Sequence, residues 1–410
     1  MTLPPPPIKS LSWRYHLTIL DFIVILTGLV FSPPLLSIGL IGICVVGILD
    51  IPKGINPDWK KGIRAGLSDP FNYAIAALYL ILLFGFWQTN DWGYYFDRLR
   101  IKLALLMVPV GWWGLPKLKE KHRHLIIAYF AVIMAITAVV VTVNYALNFN
   151  EIQQGILEGR SIPVPRNHIR FSLLVALATL GALELWRNTS TPKWSMIWPA
   201  LAFFLFSFQH LLAVRSGLAC AYLGIFAFLF AYLIETKKWK IGILGLVVLI
   251  VLPLIGYKTV PSLRAKMDYL SYEIWLQEHG FESEQYSDAG RMTSIRFGLD
   301  LWKENKLFGV GPGNLRQRMD QLYAERLPTA EAKRPHNQFV SILAGSGLVG
   351  LIVFLASIGW LTFNNNRWRD PVFLGVMIVL LASCMVENTL ENSAGLGIYC
   401  FFLFFYRPDK

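Results

Sequence analysis

The residues best suited to chemistry begin at Arg334-Pro335-His336-Asn337, where a long polar segment meets the apolar run Val340 to Phe363. An imidazole titrates near pH ~6.5, so His336 has the character of a base at neutral pH. A helix starting here favours the neutral ring, the form that accepts a proton. Three further arginines open segments of their own: Arg170 in Asn167-His168-Ile169-Arg170, Arg215 in Ala213-Val214-Arg215-Ser216-Gly217, and Arg291 after Asp288-Ala289-Gly290. A guanidinium is planar, permanently charged and matched to phosphate oxygens. Several converging on one membrane face suit a phosphate or diphosphate carried on a lipid, and Ser216 and Gly217 leave room for a bulky ligand. Glu387 and Glu391 are the acids of the turn Val386 to Ser393; they can pair with the arginines or orient an acceptor. Each residue also has a plainer reading: an interfacial hydrogen-bonded histidine, snorkelling arginine anchors, solvated loop charges. Spacing alone leaves both open.

Other chemistries are disfavoured. Gly309-Val310-Gly311-Pro312-Gly313 lacks the lysine and preceding strand of a nucleotide-phosphate loop. It reads as a tight turn between loop helices, with a backbone contact from Gly311 to a ligand as the alternative. There is no Asp-x-Asp and no His/Asp/Glu cluster at metal-ligand spacing, so no metal and no cofactor are expected. No Ser-His-Asp hydrolase motif occurs either.

The elements that must position these residues are membrane helices. The chain is 55% hydrophobic and 16% charged, against roughly 25% charged in soluble domains. Long continuous apolar runs identify an all-α polytopic membrane protein. They fall near 17–31, 34–49, 71–88, 101–114, 123–147, 168–186, 194–212, 214–234, 239–258, 337–363, 371–386 and 393–406, about twelve spans. Alternate connections carry Lys53, Lys60, Lys61 and Arg64; Lys117, Lys119, Lys121 and Arg123; Arg187 and Lys193; Lys237, Lys238 and Lys240; Arg367 and Arg369. The positive-inside rule makes that face cytoplasmic, and both termini with it. It also accounts for the net charge of +12 without a nucleic-acid partner. Pro4 to Pro7, ahead of Lys9 and Arg14, has no small-residue cleavage site and reads as a cytoplasmic tail.

The long segment 259–336, between spans nine and ten, is then extracytoplasmic. It divides the chain into 1–258, 259–336 and 337–410. Three helices are expected in it: 263–276 with a stripe of Leu263, Met267, Leu270 and Ile274; 291–307 with Ile295, Leu299 and Trp302; and 314–327 with Asn314 as N-cap. Cys44, Cys220, Cys384 and Cys400 all lie in apolar runs and read as buried free thiols.

Taken in order, the pieces resemble the bacterial O-antigen ligase and O-antigen polymerase superfamily. They are Gly290-Arg291 with Trp302 on the same helix, Phe308-Gly309-Val310-Gly311, Pro335-His336-Asn337, and Gly345-Ser346-Gly347 in the following span. Arg215 resembles the family's membrane-edge arginine, although valine rather than serine precedes it. The resemblance implies an inner-membrane enzyme of about twelve helices whose helical periplasmic loop caps a lipid-facing cavity. It implies a metal-independent, inverting transfer of a glycan from undecaprenyl diphosphate to a sugar hydroxyl of lipid A-core. His336 takes the position of the base, and Arg215 and Arg291 those of the diphosphate-binding arginines. Arg170, Arg334, Asn337, Glu387, Glu391 and Gly311 are supporting candidates. An O-antigen polymerase, to which the spacing of Arg334 and Gly345 is similar, or a transferase acting on protein is the rival within the family. A transporter is the rival outside it, and no internal repeat favours that.

Overall fold

The computed structural model describes residues 13–50, 54–189, 195–279 and 287–408, without the side chains at 273, 274, 276–278, 287 and 288. The proline-rich N-terminal stretch with Lys9, Lys53, Lys193 and the side chains of Ile274 and Asp288 therefore lie outside the described residues.

Seven helices are long and apolar enough to cross a membrane: Trp13–Phe31, Pro70–Gln88, Glu120–Leu147, His168–Asn188, Arg215–Thr236, Trp239–Thr259 and Gln338–Arg369. Four shorter apolar helices join them: Pro33–Ile48, Ile197–Leu212, Pro371–Val386 and Ser393–Phe405. The expected span at 101–114 is broken instead. Helix Trp92–Lys102 has 11 residues and Ala104–Trp112 has 9. At about 1.5 Å per residue they are roughly 16 and 14 Å long, so each spans only about half of a ~30 Å hydrocarbon core. One antiparallel strand pair, Leu49–Asp50 with Gly54–Ile55, departs from the all-helical expectation.

Local chemistry sets where these helices begin. Asp69, Asn167, Asn337, Asp370 and Asn392 each accept a backbone N–H from the first turn that follows, at 2.8–3.2 Å. Pro33, Pro70 and Pro371 sit at the first helical position, where the missing N–H costs nothing. A helix apolar on every side belongs in the centre of a bundle. Ser393–Phe405 is that helix: Ala394 to Phe405 are all buried. Its Phe401 packs edge-on to Phe22, which stacks on Trp112. Trp239–Thr259 is the opposite case, buried only at Gly242 and Gly256, with its apolar surface turned outward. All four cysteines are free; Cys44 is partly exposed and the other three are buried.

The long polar segment folds as helices Pro261–Glu278, Ser287–Glu304 and Leu315–Arg326. The buried stripes differ from the sequence reading. In Ser287–Glu304 the residues facing inward are Ser294, Phe297 and Leu301, rather than Ile295, Leu299 and Trp302. Gly298 sets this rotation, because a side chain there would press on Pro335 and Val340. In Pro261–Glu278, Leu263 is buried but Met267 is exposed. Asn314 precedes its helix without a side-chain cap. It accepts instead from Asn90 N at 2.7 Å and donates to Gln88 O at 2.5 Å, fastening the loop to the end of Pro70–Gln88.

The loop also enters the bundle. The helix beginning at Gln338 is interrupted at Gly347, where φ is +67°. That break, about 14 Å along the helix at ~1.5 Å per residue, would leave backbone groups unpaired. Leu348 N and Val349 N are instead satisfied by Lys306 O at 2.9 Å and Leu307 O at 3.2 Å, and Val310 N donates to Ala344 O at 2.8 Å. Irregular backbone at such depth survives only when neighbouring protein pairs it. Ala344 accordingly shares a small core with Phe297, Leu301, Val310, Leu315 and Met319.

Candidate functional site

His336 stands one residue before the N-cap of the helix Gln338–Phe363, and contacts made by Pro335, His336 and Asn337 hold it there. Asn337 caps Val340 N at 3.1 Å and donates to Met385 O at 2.9 Å. Ser294 Oγ accepts the His336 backbone N–H at 3.1 Å, tying it to Ser287–Glu304. Pro335 rests on Gly298 of that helix, and its carbonyl accepts from Ser341 Oγ at 3.1 Å.

The imidazole meets Glu387, 51 residues away in sequence: Nδ1 to Oε2 is 3.3 Å. The other oxygen of the same carboxylate lies 3.6 Å from Arg291 Nη2. The side chains of His336, Glu387 and Arg291 are 27%, 20% and 30% exposed, which describes a rim open to a ligand. Burial raises the Glu387 carboxyl pKa, but the hydrogen bond and charge of His336 and the charges of Arg291 and Arg170 lower it further. The net shift is below the usual carboxylate range, so Glu387 is an anion at neutral pH. Nδ1 then donates to it, and Nε2 keeps the lone pair.

Arg170 reaches this group electrostatically from the first turn of His168–Asn188. Arg215 begins the helix Arg215–Thr236 after Val214, and Ala213, with φ of +51°, makes the turn from the preceding helix. The two helix starts are neighbours: a side chain at Gly217 would collide with Ser172 Oγ. The space at Gly217 therefore receives Ser172, not a ligand as the sequence suggested. Gln209 Nε2 donates to Ser172 O at 2.6 Å and locks the same junction. Arg215 is thus placed at the same end of the bundle as Arg170.

The other candidates separate. Arg334 turns to Tyr94, with Nη1 3.3 Å from the hydroxyl. Glu391 is deep in the turn, where Lys102 Nζ at 2.6 Å and Gln338 Nε2 at 3.0 Å meet its Oε1. Burial raises its pKa, and Lys102, Gln338 and Arg98 bring it below the ordinary value. Gly311 has φ +92° and packs against Gln88 and Gly85, while a side chain at Gly309 would strike the backbone of Ala344 to Ser346. These glycines serve a close approach of backbone to backbone. Among the described residues no group of three or more His, Cys, Asp or Glu is placed to hold a metal ion.

Some participants escaped the sequence reading. His168 feels the charges of Arg291, Lys266 and Glu387. Its neighbour Arg170 was the only signal. Arg98 lies in the connection 89–100 and Lys102 at the start of the expected span 101–114, and neither belongs to a motif; basic residues at the non-basic face were the available clue.

Residues 200–355 match the family model described as O-antigen ligase. The matched stretch contains Arg215, Arg291, Arg334, His336 and Asn337, and leaves Arg170, Glu387 and Glu391 outside. No curated protein matches the chain.

Proposed function

From membership of the O-antigen ligase and polymerase superfamily, we propose that this protein is a ligase that moves a glycan en bloc from undecaprenyl diphosphate to a sugar hydroxyl of lipid A-core. The observation that supports this reading most is the contact of His336 and Arg291 with the two oxygens of Glu387. It sets a base and a diphosphate-matched cation side by side at the end of the bundle where Arg170 and Arg215 also begin their helices.

Nε2 of His336 removes the proton of the acceptor hydroxyl as its oxygen attacks the anomeric carbon. The bond from that carbon to the diphosphate oxygen breaks, and configuration inverts. The electron pair leaves with the diphosphate, whose charge Arg291, Arg215 and Arg170 stabilise, so the leaving group needs no metal and no proton. Glu387 fixes the imidazole tautomer and stabilises the imidazolium that forms. A base so positioned contributes typically ~10²–10⁴-fold. The connections at the opposite ends of the helices carry the lysine and arginine clusters, which favours a periplasmic location for this face.

Transfer from purified lipid-linked glycan to rough lipopolysaccharide tests the reading. Wild type forms polymer-bearing lipopolysaccharide, and His336→Ala binds donor but forms none. Normal product from His336→Ala rules out the base role. In cells, deletion leaving polymer on the lipid carrier supports the ligase; single-repeat lipopolysaccharide assigns the chain to the polymerases instead.

A further inference from the structure

We propose that Arg334, Arg98 and Tyr94 form a second anion subsite beside His336, which takes an acidic substituent of the acceptor saccharide, a phosphate or a carboxylate. This rests on the transfer reading above and adds the substrate class of its acceptor.

The two carboxylates of the turn after Val386 divide the nearby cations between them. Glu387 serves His336 and Arg291. Glu391 is engaged by Lys102 at 2.6 Å and by Gln338 at 3.0 Å, both on Oε1. Arg98 comes no nearer to that carboxylate than 4.0 Å, and its Nη1 donates instead to the Glu391 backbone carbonyl at 2.8 Å. Its Nε is buried without a hydrogen-bond partner among the described residues. Arg334 has only the neutral Tyr94 hydroxyl, at 3.3 Å, and no carboxylate within ion-pair distance among the described residues. The Arg98 guanidinium lies over the Tyr94 ring, 4.9 Å from its centroid, so Tyr94 joins the two arginines.

Three cations, Arg98, Lys102 and Arg334, thus share one carboxylate. The side chains of Arg98, Lys102 and Glu391 are 13%, 7% and 12% exposed and Arg334 is half-buried, so water screens the excess poorly at Arg98 and Lys102 and only partly at Arg334. Cations collected at such burial are costly until an anion compensates them. Two guanidiniums bridged by an aromatic ring suit planar or tetrahedral oxyanions.

The direction of attack says which substrate brings the anion. In an inverting displacement the nucleophile and the leaving group lie on opposite sides of the reacting carbon. Arg291 and Arg170, on the Glu387 side, are the anchor for the departing diphosphate. Arg334 precedes His336 by two residues and reaches toward the Glu391 side, the flank from which the acceptor approaches.

The test is equilibrium binding of acceptor to the protein in nanodiscs with no donor present. The probes are rough lipopolysaccharide as isolated, the same material with its phosphates removed, and the same material with its carboxylates amidated. Removing the group that the site reads weakens binding to wild type by about 10- to 100-fold; which modification does so identifies the source. Arg334→Gln binds the intact acceptor weaker by a similar factor and responds to neither modification. Equal binding of all three probes by wild type overturns the proposal, as does a full anion preference in Arg334→Gln. In a separate titration with the lipid-diphosphate donor alone, an Arg334→Gln variant that loses donor affinity while holding the acceptor normally assigns the arginine to the donor, and also overturns the proposal. Because the acceptor titrations contain no donor, failure of the transfer assay would remove the ligase reading separately.

Discussion

Replacing Glu387 with glutamine keeps the shape of the turn and removes one charge. In the folded protein that charge faces His336 at 3.3 Å and Arg291 at 3.6 Å. Coulomb's law at an effective dielectric of ~20 puts each such pair at about 4–5 kcal/mol. Desolvation of the carboxylate and partial exposure of all three side chains leave a net value nearer ~1.5–3 kcal/mol for a charge-assisted contact. Most of it falls on the step that turns the imidazole into an imidazolium, since that is when the anion matters most. Glu387→Gln should therefore lower kcat by about 10- to 100-fold. The donor KM should change by only a few-fold, because weaker hold on Arg291 is offset by less repulsion of the diphosphate. Steady-state transfer at saturating acceptor measures both. A kcat within about threefold of wild type, in a protein with an unchanged unfolding profile, would refute the assignment of Glu387 to the imidazolium. The same variant has a stability signature. The folded pKa of Glu387 lies below the usual 4.5, so its stabilising effect is complete above the unfolded value and is lost as pH falls through the folded one. The difference in Tm between wild type and Glu387→Gln should be constant above about pH 5 and shrink below the unfolded value near ~4.3.

Arg291→Lys keeps the charge but loses the two-pronged donor; donor KM should rise about 10-fold, measured by transfer at varied donor, and an unchanged value would make Arg291 a scaffold residue. Arg215→Lys should show the same direction of change. Gly347→Ala forces a side chain into φ +67° and against the Leu307 backbone, so unfolding should move by about 2 kcal/mol or more. Gly359→Ala in the same helix has open space around it and should be neutral or slightly stabilising; equal effects at the two positions would contradict the account of the break. Transfer should persist in excess chelator, and a strict requirement for added divalent cation would defeat the arginine-only stabilisation of the leaving group.

The helical membrane class, the free cysteines, most helix starts, the base candidate His336 and the diphosphate-binding candidate Arg291 follow from the chain read locally. A run of apolar residues or an asparagine before a helix acts on its own few neighbours, and its signal stays in the one-dimensional string. The tertiary structure decided what depends on rotation and long-range approach. The run 101–114 reads as a span because its composition is apolar, yet the helices there, Trp92–Lys102 and Ala104–Trp112, are each too short to cross, and length decides crossing. Gly298 turned the Ser287–Glu304 helix so that Ser294 rather than Ile295 faces the site. Ser172, not a ligand, fills the gap at Gly217. Glu387 could equally have been a solvated loop charge until the turn carrying it folded back over 51 residues to His336. Which carboxylate meets which cation is set by packing between distant helices, and no local pattern encodes a distance across the bundle.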